Sequence, residues 1–213
     1  MRDFPIFDTE YGIASLFLKE IPYKNEAYIR IREVWGDSLG ELLKECVSFC
    51  RMAGAEKIYA ADHDALDAYP LFTSILQMRG EAWVDPEKLR NLFPVTETTV
   101  QQWRQIHNER LRNVDCSATL TAREEKEILS SGGAYFVHDN GQLLGIGWVQ
   151  DCELKSVAAV KPGAGEMVMH TLMSLIEGKQ MTLEVASTNT RAIQLYQRLG
   201  FLVTGEKTRW YSL

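Results

Sequence analysis

Residues 183–201 read LEVASTNTRAIQLYQRLGF. The hydrophobic pattern predicts a strand over Met181–Ala186 and, after a polar turn, a helix over Thr190–Leu199. Asn189 stands at the junction, where its side chain can cap the helix. Gly200 follows the helix at the place where a left-handed residue is needed. The stretch therefore predicts a strand running directly into a capped helix, as in a mixed α/β protein.

The segments on the N-terminal side of this stretch predict a mixed sheet. Asp-Asn-Gly at 139–141 lies between apolar runs at Ala134–His138 and Leu143–Gln150, which is a strong signal for a hairpin. A third strand over Leu154–Val160 precedes a helix over Glu166–Ile176. Hairpins supply antiparallel pairs and crossover helices supply parallel ones, so both kinds are expected in one sheet.

The first third of the chain has the element order ββαβα, which is also the order of residues 143–199, and we expect it to form a small domain of its own. A weak internal repeat is visible, because Asp62, Ala65 and Tyr69 have the spacing of Asn189, Ala192 and Tyr196. Gly80 marks a boundary, so the predicted domains are residues 1–80 and 81–213. The remaining predicted elements are strands at Gly12–Leu18, Tyr28–Val34, Lys57–Ala61 and Ala82–Val84, a strand-rich segment at Phe201–Leu213, and helices at Leu39–Cys50, Ala65–Met78, Thr96–Arg112 and Thr121–Leu129.

Composition excludes several classes of protein. The chain has 213 residues and a formal net charge of -6, with no stripe of Lys or Arg, which disfavours general nucleic-acid binding. No apolar run of membrane-spanning length and no signal-peptide pattern occurs in the sequence. We therefore expect a cytoplasmic protein that binds neither nucleic acid nor membrane. The four cysteines are too scattered for a disulfide framework or a zinc site, so no metal is expected.

The stretch at 183–201 resembles the closing motif of the GNAT superfamily of N-acetyltransferases. The family pattern NxxAxxLYxxxGF is met by Asn189, Ala192, Leu195, Tyr196, Gly200 and Phe201. The resemblance extends over residues 81–213 and implies a GNAT-like acyl-CoA N-acyltransferase fold, with the ββαβα segment before it as a degenerate half-size copy or an added domain. It also implies acetyl-CoA as co-substrate, with Asn189 and Ala192 beside it.

A second region is similar to the family's acetyl-CoA loop. Residues 160–165 read VKPGAG, ahead of a helix that begins near Glu166. The resemblance implies that Gly163, Ala164, Gly165 and Glu166 hold the pyrophosphate with backbone amides at the helix N-terminus. It likewise implies that the preceding strand contacts the pantetheine arm, through Ala158 and Val160. The loop is shorter than the family's, and the Arg or Gln that normally precedes the glycines is missing.

The chemistry requires two proton movements, since the amine loses a proton and the departing thiolate gains one. By the resemblance, Tyr196 is the acid and Glu184 is the base, the latter acting directly or through water. Asp151, Glu153 and water itself are alternatives for the base. A carboxylate in this role needs a raised pKa, which burial would supply.

The sequence thus predicts an N-acetyltransferase that moves an acetyl group to a primary amine, on a small molecule or a peptide, by direct attack in a ternary complex. The alternative is a non-catalytic acyl-CoA-binding or regulatory module, which the shortened loop motivates. A protein scaffold is a third hypothesis. The acceptor and the oligomeric state cannot be read from the residues.

Overall fold

The structure is a computed structural model, and it describes residues 5–213. The chain forms two compact units. The first contains residues up to Ile75 together with Glu206–Leu213, and the second contains Leu76–Gly205. The domain boundary expected at residue 80 stays a prediction, but the compact units divide a little earlier and the last strand returns to the first unit.

The first unit is a sheet with one long helix. The elements of the first half of the chain are β1 (Ile6–Thr9), β2 (Gly12–Phe17), α1 (Ile21–Lys24), β3 (Glu26–Val34), α2 (Leu39–Met52), β4 (Lys57–Ala61), a 3₁₀ turn (Asp64–Ala68) and β5 (Leu71–Glu81). The strands of the first unit follow the order β1-β2-β3-β4-β11, where β11 is Leu202–Ser212. Strands β3 and β4 are parallel and paired at every residue from Glu26 with Lys57 to Arg30 with Ala61.

Helix α2 covers one face of this sheet. Its inward side chains include Leu42, Leu43, Cys46 and Cys50, which are all buried. Burial raises the pKa of Cys46 to about 12 and that of Cys50 to about 11, so both thiols stay protonated at neutral pH. The two cysteines therefore act as small apolar core residues.

The second unit is built on a six-strand arrangement in the order β5-β10-β9-β8-β7-β6. Pairing is antiparallel from β6 to β9, and β9 is parallel to β10. Its remaining elements are β6 (Asn91–Pro94), α3 (Val100–Leu111), α4 (Glu124–Ser131), β7 (Ala134–Asp139), β8 (Gln142–Gln150), β9 (Glu153–Ala159), α5 (Gly165–Met173), a 3₁₀ turn (Ser174–Ile176), β10 (Gln180–Ala186), α6 (Thr190–Arg198) and β11 (Leu202–Ser212).

Two helices pack on each face of the sheet in the second unit. The core on one face joins Trp103 of α3 and Ile128 of α4 to Ile146, Trp148 and Ala158 of the strands. The core on the other face joins buried residues of α5, α6 and β10, including Val168, Met169, Leu172, Leu183 and Tyr196. This second core fixes α5 and α6 against the strands that precede them in the chain.

Several predicted elements are confirmed. The hairpin between β7 and β8 turns at Asn140 and Gly141, whose φ angles of 48° and 77° suit the tight turn expected there. The start of α4 is capped as expected, because Glu124 accepts a hydrogen bond from the Thr121 amide at 2.8 Å. No helix among residues 5–213 combines the length and the apolar character needed to cross a bilayer.

Two predicted elements were wrong. The helix expected over Ala65–Met78 is a 3₁₀ turn followed by strand β5, because Pro70 ends the turn and the β-favouring residues after it extend. The strand expected over Ala82–Val84 is irregular, although Ala82 remains tied to the sheet through its amide, which donates to the Lys179 carbonyl at 2.8 Å. Strands β1 and β6, each four residues long, were not predicted.

Candidate active site

The parallel pairing of β9 with β10 is short. Glu153 pairs with Thr182 and Leu154 with Leu183, and the pairing stops there although both strands continue. On its other side β9 stays paired with β8, where a register shift leaves Lys155 as an extra residue. A bulge of this kind bends a strand and increases its local twist. The bulge at Lys155 thus lies where the pairing with β10 ends, and we call the region between the unpaired ends of β9 and β10, beyond Leu154 and Leu183, the slot.

Backbone groups of β9 border this slot. The Val160 amide donates to the Leu144 carbonyl at 2.7 Å, and the Val160 carbonyl accepts from Arg110 Nη2 at 2.5 Å. Backbone groups alternate in direction along a strand, so Ala158 also turns its amide and carbonyl toward β8. The groups that face the slot therefore belong to Val157 and Ala159.

The sequence did not predict that the backbone groups of Val157 and Ala159 face the slot, because the pairing register of a strand is not visible in its residues. Ala158 and Val160 stay predicted contacts of an extended ligand. Their backbone groups point away from the slot, and the side chain of Ala158 is buried in the core under α3 and α4.

The turn after β9 presents unpaired amides. Gly163 has a φ of 81°, and helix α5 begins at Gly165 after Ala164, which provides no side-chain cap. None of residues 5–213 accepts a hydrogen bond from the amides of Gly165, Glu166 or Met167. Unpaired amides and the helix dipole favour an anion at such a position, and binding of a pyrophosphate there stays a prediction. A hypothetical Cβ on Gly163 would meet nothing within 4 Å, so the turn is open.

Glu166 places a negative charge at this N-terminus, and Lys88 compensates it. Lys88 Nζ donates to Glu166 Oε1 in a very short contact, and Asp85 lies 3.9 Å from the same ammonium group. The hydrogen bond from Lys88 lowers the pKa of Glu166 and raises that of Lys88. The N-terminal end of α5 is therefore less positive than a helix N-terminus with no acidic side chain.

His170 ties the segment before β6 to α5. Its ring is buried, its Nδ1 accepts a hydrogen bond from the Asp85 amide at 3.3 Å, and the Trp83 ring packs edge-on against it. Burial lowers the pKa of His170, and the Lys88 ammonium lowers it further, while Glu166 and Asp85 oppose the shift. The neutral ring thus holds this segment beside the start of α5.

We predict that stability falls in mild acid because of His170. The folded protein binds the imidazole proton less readily than the unfolded chain, whose pKa is about 6.5, so this contribution is complete above that pH and is lost as the pH falls below it. Thermal unfolding of the wild type should show the loss between pH 7.5 and 5.5, and His170→Gln should show less of it. His138→Gln, at a half-exposed histidine on β7, is the control and should follow the wild type.

Asn189 caps α6, as the sequence predicted. Its Oδ1 accepts a hydrogen bond from the Ala192 amide at 3.3 Å, and no residue among 5–213 accepts one from its Nδ2. Ala192, one turn into the helix, is half-buried. The side-chain amide of Asn189 can therefore donate to a ligand at the end of β10, where the small side chain of Ala192 leaves room beside the helix.

Tyr196 lies on the inner face of α6. It is 7% exposed, and its ring packs against Phe201 with centroids 6.1 Å apart. No hydrogen bond to its hydroxyl is present among residues 5–213, and the oxygen is not among the fully buried unpaired atoms, so it keeps some contact with the surface. Burial raises the pKa of Tyr196 to about 12. The phenol is therefore a proton donor throughout the neutral range.

Glu184 is exposed, so the burial expected around it is not present. It lies on β10 between buried Leu183 and Val185, which face α5 and α6, so its side chain points to the opposite face of the sheet. Asp151 is exposed in the turn before β9, and Glu153 bonds Lys155 Nζ at 2.5 Å. The choice of base stays a prediction, and the exposure of Glu184 suits proton transfer through water.

No group of three or more His, Cys, Asp or Glu side chains within residues 5–213 is arranged to hold a metal ion. The candidate site thus consists of the slot, the start of α5, the Asn189 amide and the Tyr196 phenol.

Comparison with known proteins gives the fold. A GCN5-related N-acetyltransferase from Anabaena variabilis matches 95% of this chain and 59% of its own, with 8% identity and a TM-score of 0.61. One from Sphaerobacter thermophilus matches 94% of this chain and 75% of its own, with 13% identity and a TM-score of 0.51. The chain has a GNAT-like fold. No family model and no curated protein matches the sequence.

A conserved protein of unknown function from Staphylococcus epidermidis is also similar. It matches 99% of this chain and 94% of its own length, with 10% identity and a TM-score of 0.60. At these identities the likeness concerns the fold, and the function depends on the site itself.

Proposed function

We propose that this chain is an acetyl-CoA-dependent N-acetyltransferase that acts on a primary amine. The observation that carries the proposal is the early end of the β9–β10 pairing, at Leu154 and Leu183, next to the uncapped start of α5. A slot with unpaired backbone groups fits an amide-containing arm, and an uncapped helix N-terminus fits a pyrophosphate. In the first unit the parallel strands β3 and β4 are paired at five successive residues and offer no such slot.

The residues can serve both proton movements of acyl transfer. The amine nitrogen bonds to the thioester carbonyl carbon, a backbone amide of β9 stabilises the oxyanion, and the C–S bond then breaks. Tyr196 gives its proton to the departing thiolate, while the proton lost by the amine leaves through Glu184 or water. An ordinary thiol has a pKa of about 8.5, well below that of Tyr196, so the tyrosinate left after the transfer is a stronger base than the thiolate and takes up a proton from water to complete the cycle.

Calorimetry with CoA and an acetyl-transfer assay on a panel of amines test the proposal. The panel contains spermidine, tyramine and a peptide with a free N-terminus, and we expect CoA to bind and at least one amine to be acetylated. CoA binding without transfer to any of them would support the non-catalytic acyl-CoA module, which the short loop motivates. Absence of CoA binding would contradict both functions.

Two substitutions at Gly163 that differ only in charge, Gly163→Asp and Gly163→Asn, test the proposed anion site. Asn and Asp have the same shape and both tolerate the left-handed conformation at this position, where no neighbour obstructs a side chain. We expect Gly163→Asp to weaken CoA binding about tenfold more than Gly163→Asn, a difference of about 1.4 kcal/mol. The gap should narrow as salt increases, because the site is exposed.

Stability should change in the opposite direction to affinity. A carboxylate near the start of α5 interacts favourably with the helix dipole, so the melting temperature of Gly163→Asp should equal or exceed that of Gly163→Asn. Equal CoA affinity of the two variants at low salt would show that the phosphates bind elsewhere.

A further inference from the structure

Ser156 has a buried hydroxyl with no partner. Three fully buried side-chain nitrogen or oxygen atoms within residues 5–213 lack a hydrogen bond, and two of them already face carboxylates. Arg30 Nε lies 3.0 Å from Asp62, and Arg90 Nε lies 3.3 Å from Asp139. Ser156 Oγ is the third. A buried hydroxyl without a partner costs folding free energy and calls for an explanation.

The position of Ser156 in the sheet offers an explanation for this unpaired hydroxyl. It follows the bulge at Lys155 and lies beyond Leu154, the last residue of β9 that pairs with β10. It pairs with Trp148 of β8, whose side chain belongs to the core under α3 and α4. The Ser156 side chain therefore projects from β9 on that face, at the point where the slot begins.

Glu184 shares this face. It is the next residue of β10 after Leu183, the last that pairs with β9, and its side chain points away from the core under α5 and α6. The bulge is what turns Ser156 to the same side, because without it Ser156 would share the face of Leu154. Ser156 and Glu184 thus lie on the same face of neighbouring strands, just beyond the last residues that pair β9 with β10.

We propose that Ser156 holds the acceptor amine for attack, with its Oγ accepting a hydrogen bond from the amine N–H. This inference rests on the proposed function and adds a specific contact to it. A neutral primary amine carries two N–H groups and one lone pair. One N–H bond to a fixed hydroxyl leaves the lone pair free to face the thioester carbon, which is the orientation that attack requires.

Ser156→Ala tests this role with three measurements. Its melting temperature should rise by about 2 °C, because the substitution removes a buried group that lacks a partner. CoA affinity should stay within about twofold of the wild type. The affinity of the CoA complex for whichever of spermidine, tyramine or the peptide it binds should fall by about tenfold, and kcat/KM for that amine should fall at least as much.

Ser130→Ala is the matched control. Ser130 lies on α4, and its hydroxyl donates to the Glu127 carbonyl within the helix, so this variant should match the wild type in all amine measurements. Ser156→Thr keeps the hydroxyl on a β-branched side chain suited to a strand and should recover part of the amine affinity.

The outcomes separate this inference from the proposed function. If the wild type binds CoA and an amine but transfers no acetyl group, the proposed function fails, while weaker amine binding by Ser156→Ala still supports the role of Ser156. If acetyl transfer occurs and Ser156→Ala retains wild-type amine affinity and kcat/KM, the inference is wrong. A lower melting temperature for Ser156→Ala, or no binding of any of the three amines to the CoA complex, also overturns it.

Discussion

Tyr196→Phe is expected to lower kcat by about a hundredfold or more while CoA affinity stays within about twofold of the wild type. In the proposed mechanism the Tyr196 phenol donates a proton to the departing thiolate. Phenylalanine keeps the ring but has no proton to donate. Because burial raises the pKa of Tyr196 to about 12, wild-type kcat should show no loss from phenol ionisation between pH 7 and 10. Steady-state assays of thiol release over this range check both statements.

The substitution should leave the fold intact. The Tyr196 hydroxyl has no hydrogen-bond partner among residues 5–213, and the contact of its ring with Phe201 survives the change. The melting temperature should therefore stay within about 2 °C of the wild type. Tyr135→Phe, at a half-buried tyrosine on β7, is the control and should keep full activity. Wild-type kcat in Tyr196→Phe would mean that water protonates the thiolate.

Gly145→Ala is expected to lower the melting temperature by about 5 °C and to weaken CoA binding about tenfold. A Cβ on Gly145 would lie 2.6 Å from the Ala158 carbonyl oxygen and 2.7 Å from Val168 Cγ2. Overpacking of this kind costs about 1–3 kcal/mol. The strain falls on β9 and α5 together, and these two elements carry the slot and the proposed anion site. Thermal unfolding and calorimetry with CoA measure the two effects.

A double variant separates the two contacts. Val168→Ala removes the methyl groups that the new Cβ meets, so Gly145→Ala/Val168→Ala should recover part of the melting temperature, while the Ala158 carbonyl still obstructs it. Gly205→Ala, in a strand where a Cβ meets nothing within 4 Å, is the control for the loss of glycine itself. If Gly145→Ala and Gly205→Ala are equally stable, α5 does not depend on this close approach.

The prediction of β5 as a helix shows where local patterns fail. Residues 71–81 contain apolar residues at spacings that fit either period, and intrinsic preference cannot decide such a short run. Pairing in the sheet decides it, because the neighbours of a strand come from distant parts of the sequence, and β5 lies beside β10. The four-residue strands β1 and β6 escaped prediction for the same reason.

The sequence by itself determined the elements whose signals are local: the β7–β8 hairpin from Asn140 and Gly141, the capped start of α6 from Asn189, and the glycine turn before α5. Each depends on residues a few positions apart. Only the tertiary structure decided that β9 and β10 part after Leu154, that Val157 and Ala159 border the slot, and that Ser156 Oγ is buried without a partner. These features follow from strand register and from a bulge, which are set by pairing between segments far apart in the chain.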